Sequence, residues 1–366
     1  MKSVLVVIGT RPEAIKLAPI VTAMSNSRCF NYQVCLTQQH TDLLEPVLLP
    51  LGISAHYKLK NSRSHRSLHQ SAADILKQFE AVLIESTPDL VLVQGDTTSA
   101  FIAALAAFYS GIPVAHVEAG LRTGDIGSPW PEEGHRCLID KLTTYFFAPT
   151  LAAQKSLLAE GAPPENVWVV GNTAIDAIRL ARGSSTLTED FSQWRVIVVT
   201  IHRRENHGEP LQAICSALRS LAEQFLEIQI VFVLHPNLAV RQPVMEMLSD
   251  IHNIKLLEPL DHRSFIQLLE KCTFLITDSG GIQEECSFLG KPILITRNTT
   301  ERQEGLQAGT ARLIGTKADH IVACCQELLT NEAALTAMSK VHFPYGDGYA
   351  AERIVDILEC KLCENL

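Results

Sequence analysis

No long polar or low-complexity tract interrupts the 366-residue chain, which excludes global disorder. No apolar run approaches the ~20 residues that a membrane-spanning helix needs; the longest runs only from Phe101 to Tyr109. The Val4–Ile8 run is also too short for a signal peptide, and no small-residue cleavage site follows it. A cytoplasmic protein without membrane contact is expected. An excess of positive charge is missing too: the net charge is −9, and basic residues are not interleaved with aromatics. That argues against a nucleic-acid partner and leaves room for a local anion pocket. The ten cysteines do not form a disulfide framework, since Cys35, Cys215, Cys272 and Cys286 lie inside apolar runs. Cys360 and Cys363 form a CxxC without the second pair a zinc site requires, so no metal is expected. The glycine fingerprint GxGxxG is absent, which removes a nicotinamide or flavin cofactor.

What is present is a regular alternation. Apolar, β-branched runs at Val4–Ile8, Val34–Thr37, Leu90–Gln94, Val114–Val117, Tyr145–Ala148 and Val167–Val170 are separated by longer amphipathic stretches. A second series follows at Val196–Ile201, Ile228–Val233, Lys255–Leu257, Phe274–Thr277, Ile293–Thr296 and Arg312–Ile314. Buried strands alternating with helices predict an α/β protein with two Rossmann-like, doubly wound parallel sheets. The break falls between Gly171 and Trp194, where Ala181-Arg182-Gly183-Ser184-Ser185-Thr186 interrupts the pattern. Ligands of such sheets bind beyond the carboxyl ends of the strands, so two domains facing a cleft are expected to carry their chemistry just after strands.

Polar clusters stand at those places. Phe274–Thr277 runs into Asp278-Ser279-Gly280-Gly281-Ile282-Gln283-Glu284-Glu285. Two glycines admit a ligand to the backbone, the first helical N–H groups face an anion, and the Glu285 carboxylate can accept ribose hydroxyls. The alternative is a plain turn with Glu285 as a helix cap. Gly9-Thr10-Arg11-Pro12 places a guanidinium at a helix entrance suited to a pyrophosphate, with Lys16 about one turn on; a solvated surface pair is the other reading. Asp96 and Glu118 end strands, and Glu132 lies in a nearby Pro-rich loop. Gathered carboxylates run proton transfers when repulsion and burial raise a pKa, although Asp96 also suits a helix N-cap. His202, beside Arg203 and Arg204, reads as an anion donor or structural hydrogen bonder before a titrating base, and His116 reads as a satisfied core residue.

Taken together, Gly9 through Lys16, Gly95-Asp96-Thr97-Thr98, His116 through Asp125, Pro129-Trp130-Pro131-Glu132-Glu133, Gly171 through Asp176, His202-Arg203-Arg204-Glu205, Asp278 through Glu285 and Thr299-Thr300-Glu301-Arg302 resemble the motifs of non-hydrolysing UDP-N-acetylglucosamine 2-epimerases. The resemblance runs from the first strand to Pro344-Tyr345-Gly346-Asp347-Gly348. It implies a glycosyltransferase-B-like fold and a homodimer. It also implies a first domain over 1–172 completed by a returning helix within 346–366, and a UDP-binding domain over 173–345. By position, Asp96, Glu118 and Glu132 are the expected catalytic carboxylates, with His202 in the same cleft. Arg11, Lys16, Arg136, Arg203, His235, Ser279, Gly280, Gly281 and Glu285 are expected to bind the UDP-sugar.

The implied reaction interconverts UDP-N-acetylglucosamine and UDP-N-acetylmannosamine for surface polysaccharide synthesis. Modified UDP-2-acetamido sugars, such as 2,3-diacetamido uronic acids, stay open as substrates, as does hydrolysis to free sugar and UDP. A glycosyltransferase or a non-catalytic UDP-sugar sensor on the same scaffold is the alternative from another class. The chain departs from the family at Ile201, where Gly is usual, at His235-Pro236-Asn237-Leu238, and at Asn298 and Gln303. Gln39-His40-Thr41-Asp42 lacks the Arg that usually follows the His, which puts activation by a second substrate molecule in doubt.

Overall fold

The computed structural model describes residues 1–37, 48, 50–60, 67–182, 189–300, 302–341 and 345–363. Residues 39–42 and Glu301 therefore lie outside the described residues. In chain order the strands are β1 (Lys2–Ile8), β2 (Phe30–Leu36), β3 (Tyr57–Lys58), β4 (Leu90–Gln94), β5 (Val114–Val117), β6 (Tyr145–Ala148) and β7 (Val167–Val169). They continue with β8 (Arg195–Thr200), β9 (Ile228–Val233), β10 (Ile254–Leu257), β11 (Cys272–Thr277), β12 (Ile293–Ile295) and β13 (Ala311–Leu313). Only β3 has no counterpart in the sequence reading, because two residues show no periodicity.

The strands form a seven-stranded sheet ordered β3-β2-β1-β4-β5-β6-β7 and a six-stranded sheet ordered β10-β9-β8-β11-β12-β13. Every pairing is parallel. Helices cover both faces of the first sheet, and the two-residue period of β1 divides its side chains between two cores. Val4, Val6 and Ile8 pack with Leu17 and Ile20 of the helix Arg11–Asn26 and with Ile354 and Leu358. Leu5 and Val7 pack with Phe79 of the helix Leu68–Ser86 and Ala103 of the helix Thr98–Tyr109. Each such side chain taken fully from water contributes ~1.5–3 kcal/mol.

Two compact units result: Met1–Leu180 with Tyr345–Leu366, and Ala181–Pro344. The helix Thr173–Ala181, which the sequence reading assigned to the second domain, packs largely within the first unit. The physical reason is polar. Asp176 accepts the Ala351 N–H at 2.7 Å, and Arg179 donates to the Gly348 carbonyl at 2.6 Å. Asp176 thereby caps the helix Ala350–Cys363 from another helix. Gly171 and Gly346 have φ of +98° and +110°, and a Cβ on Gly346 would come within 3.0 Å of the Gly171 Cα. Only glycine lets the chain return so closely.

In each sheet the winding reverses once, between β1 and β4 and between β8 and β11. Loops diverge at such a point and leave a crevice at the carboxyl ends of the strands. All ten cysteines are free, and burial pushes the Cys35, Cys215 and Cys272 thiols up to about 12. Among the described residues, no helix is long and apolar enough to cross a membrane, and no group of three His, Cys, Asp or Glu side chains could hold a metal ion.

Candidate active site

The reversal between β1 and β4 gathers the first set of side chains. Arg11 and Lys16 lie in the helix that follows β1, whose N-cap Thr10 accepts the Glu13 N–H in a capping box. Beyond β4, Asp96 is half-buried and accepts both Nε and a terminal nitrogen of Arg136 at 2.8 Å. It is not the helix cap: Thr97 takes that place by accepting the Ala100 N–H at 3.0 Å. The Asp96 carboxylate is left to Arg136 instead.

Glu118 follows β5 with φ +69°, a left-handed conformation that costs a non-glycine residue on the order of 1–3 kcal/mol. Its carboxylate is 8 % exposed and accepts Lys16 Nζ at 2.6 Å, Asn172 Nδ2 at 3.3 Å and the Gln94 side-chain amide. Donors from the helix after β1, from β4 and from the segment that precedes the helix Thr173–Ala181 hold the strained residue in place. Glu132 is the first residue of the helix Glu132–Leu142, half-buried, and among the described residues its side chain has no hydrogen-bond or ion-pair partner.

Lys16 and Arg136, expected on the UDP-sugar, thus face protein carboxylates. Lys16 holds Glu118, and Arg136 spans Asp96 and the buried Glu133 at 2.7 Å. Cations are set between the carboxylates, where the sequence reading expected mutual repulsion. His116 is a satisfied core residue, with Nε2 at 2.8 Å from the Gly95 carbonyl and Nδ1 at 2.6 Å from Asp140. Asp140 also accepts the Gly120 N–H and Arg122. Burial pushes its carboxyl up, but the contacts with His116 and Arg122 outweigh it and hold the group below its usual range.

The reversal between β8 and β11 gathers the second set around Asp278, which is fully buried. Asp278 accepts the backbone N–H of His202 at 3.1 Å and of Arg203 at 2.9 Å, and Asn206 Nδ2 at 2.8 Å. Arg203 Nε donates to the Asp278 carbonyl at 2.9 Å, and His202 Nδ1 lies 3.2 Å from the Asp278 carboxylate. Burial pulls the His202 pKa down, helped by Arg203 and opposed by Asp278. A neutral imidazole oriented through Nδ1 presents Nε2 as an acceptor. The His235 ring stacks on it with centroids 5.8 Å apart, and its pKa is likewise lowered by burial. Ile201 stays in the core at 1 % exposure while the following N–H groups reach Asp278.

Ser279 is the N-cap residue of the helix Gly280–Leu289, but its side chain makes no capping bond. A Cβ on Gly281 would meet nothing within 4 Å, so the helix entrance is open there. Glu285 lies beyond the first turn and faces His262 at 3.5 Å, so it does not cap the helix. Asn237, one of the departures, caps the helix Leu238–Leu248 through the Ala239 N–H.

The sequence reading missed the supporting shell of Glu13, Gln94, Glu133, Asp140 and Asn172. Thr10-x-x-Glu13 is a legible capping box. Glu133 and Arg136 stand at the i,i+3 spacing of a helical ion pair, which is also legible. Gln94, Asp140 and Asn172 carry no local signal, because their partners lie far along the chain.

A family model described as UDP-N-acetylglucosamine 2-epimerase matches residues 22–359. The UDP-N-acetylglucosamine 2-epimerase of Yersinia pestis is 44% identical over 368 residues, covering 97% of this chain and 98% of that protein. A crystal structure of UDP-GlcNAc 2-epimerase from Neisseria meningitidis bound to UDP-GlcNAc superposes with a TM-score of 0.91 at 40% identity, over 97% of this chain and 99% of that one. The Methanocaldococcus jannaschii UDP-GlcNAc 2-epimerase, in complex with UDP-GlcNAc and UDP, matches at 31% identity with a TM-score of 0.81, over 98% of this chain and 100% of that one. With a family model over residues 22–359 and identity at this level over nearly the full length of both chains, this chain belongs to the UDP-N-acetylglucosamine 2-epimerase family.

Proposed function

We propose that this protein interconverts UDP-N-acetylglucosamine and UDP-N-acetylmannosamine without net hydrolysis. The observation that carries the proposal is the pair Asp96 and Glu118 just after β4 and β5, with Glu132 opening the helix whose Arg136 holds Asp96, in a chain that aligns over nearly its full length with enzymes named for this epimerisation. The hydrogen at C2 of the sugar is not adjacent to a carbonyl, so simple deprotonation and return is too costly. Elimination avoids that carbanion. A carboxylate takes the C2 proton, the C2–H electrons become the C1–C2 double bond, and the C1–O electrons depart with UDP. The 2-acetamidoglucal then receives a proton on the other face of C2 while a diphosphate oxygen rebonds to C1. One site therefore needs a base, an acid on the opposite face and a firm hold on the leaving diphosphate.

Asp96, Glu118 and Glu132 supply the proton transfers, and His202 contributes Nε2 at the reacting sugar or its leaving oxygen. Arg11, Arg203, His235 and the helix entrance at Ser279, Gly280 and Gly281 bind the diphosphate, and Glu285 binds the ribose. Lys16 and Arg136 act on substrate through the carboxylates they hold. No redox cofactor takes part in this route. The working form is a homodimer; exposed Ile84, Phe108 and Tyr109 on two neighbouring helices support a contact with a second copy. Free, buried thiols support a reducing cytoplasm as its compartment.

Proton NMR of the protein with UDP-N-acetylglucosamine in deuterated water, without metal, nicotinamide or acceptor, tests the proposal. UDP-N-acetylmannosamine labelled with deuterium at C2 is the expected product. Accumulation of free N-acetylmannosamine and UDP would establish hydrolysis instead, and inert UDP-N-acetylglucosamine would overturn the substrate assignment.

A further inference from the structure

The winding reversal of the first sheet is tied across by one side chain that the reaction does not consume. Glu13 lies in the first turn of its helix and is 2 % exposed. Its Oε2 accepts the Gly9 N–H at 2.9 Å, the Thr10 N–H at 2.6 Å and Thr10 Oγ1 at 2.9 Å. Its Oε1 points the other way and accepts Thr97 Oγ1 at 2.6 Å. An ordinary capping box ends with the first set of bonds. Here the second oxygen crosses to the loop after β4. One carboxylate thus holds the loop that carries Arg11 and the loop that carries Asp96, each adjacent in sequence to a residue it grips.

We infer that Glu13 is a positioning residue: through Thr97 it fixes Asp96 in register with the loop after β1, so the catalytic carboxylate is held for reaction rather than for folding. The argument is geometric. Thr97 also caps the helix Thr98–Tyr109, so a rotation of that residue moves its neighbour Asp96 and the helix entrance together. Gly9 adds a second constraint, since Ser99 Oγ and Thr37 Oγ1 lie 2.2 Å and 2.8 Å from where its Cβ would stand, and those two hydroxyls bond each other at 2.6 Å. The loops are packed against each other as well as bonded. Misplacing a reacting group by about 1 Å can cost a hundredfold in rate.

The inference rests on the epimerase proposal, and the test separates the two. Wild type, Thr97→Ser, Thr97→Val, Glu13→Asp and the double variant Glu13→Asp/Thr97→Val are assayed on UDP-N-acetylglucosamine, with thermal melting and UDP titration on each. Thr97→Ser keeps both hydroxyl bonds and stays within about twofold of wild type. Thr97→Val and Glu13→Asp each break the bridge, the second without touching the Thr97 cap. Each lowers kcat by roughly tenfold or more, with KM and UDP affinity within about twofold. Because the Thr97–Glu13 bond is the contact that the two variants share, the double variant loses less than the product of the two single losses. Melting temperatures that fall while kcat of the folded protein holds would overturn the inference, as would losses that add. An inactive wild type would instead refute the epimerase proposal.

Discussion

Replacing Asp176 by Asn should flatten the pH dependence of the first unit's stability. Asp176 is fully buried, its Oδ2 has no hydrogen-bond partner, and burial pushes its carboxyl from the ordinary 3.8 up to about 6 despite the N–H groups of Ala351 and Ala350. Nearby Glu352 pushes it the same way and Arg179 opposes. Below the unfolded value both states carry the proton and the group costs nothing. As pH rises the unfolded chain ionises first, and the folded state loses stability until the folded value is passed. The full loss is about 3 kcal/mol, of which roughly 2 kcal/mol falls between about pH 4.5 and about pH 8. Asn keeps an oxygen for the cap and never ionises. Relative to wild type, Asp176→Asn should therefore gain roughly 2 kcal/mol on going from the lower pH to the higher. Any fixed cost of burying the new amide cancels in that difference. The assay is urea unfolding followed by Trp168, which lies under Lys361 of the capped helix at 5.3 Å, with Trp130 and Trp194 replaced by Phe. Parallel pH profiles for wild type and variant would refute the reasoning.

Glu118→Gln should reduce interconversion by roughly a hundredfold or more while UDP affinity, measured by calorimetry, stays within about threefold; retained turnover would remove Glu118 from the chemistry. Asp278→Ala leaves the His202 and Arg203 N–H groups and the Asn206 amide without their acceptor and should destabilise the second unit by about 3 kcal/mol, read by thermal melting. An unchanged melt would show that water replaces the carboxylate. The glycines should separate. Gly9→Ala drives a Cβ to 2.2 Å from Ser99 Oγ and should cost ~1–3 kcal/mol. Gly281→Ala meets nothing within 4 Å, so its melt should hold while UDP binding weakens by roughly tenfold. Equal melts for the two glycine variants, or undiminished UDP binding by Gly281→Ala, would contradict these assignments.

The elements that carry the candidate site were legible because buried parallel strands announce themselves locally. β4 is buried at every position, and the polar residues that follow it stand out against that run. The family motifs then named Asp96, Glu118, Glu132 and His202. What could not be read is which charge meets which. Lys16 and Glu118 are neighbours only because β1 and β5 both end at one edge of the sheet, and Arg136 reaches Asp96 across 40 positions. The left-handed φ of Glu118 is equally silent, since nothing in Val117-Glu118-Ala119 demands it. The boundary after Leu180 escaped for the same reason: Asp176 and Arg179 look like ordinary helical residues until Gly348 and Ala351 return beside them.

The return of residues 345–363 to the first unit has a consequence for the order of events during synthesis. Val4, Val6, Ile8 and Leu17 share a core with Ile354 and Leu358, so the unit made first lacks part of its cover until the helix Ala350–Cys363 has left the ribosome. The second unit, continuous from Ala181 to Pro344, can close before the first does. A nascent chain therefore carries an unsealed apolar face through the making of an entire domain, the interval in which such surfaces aggregate or recruit chaperones.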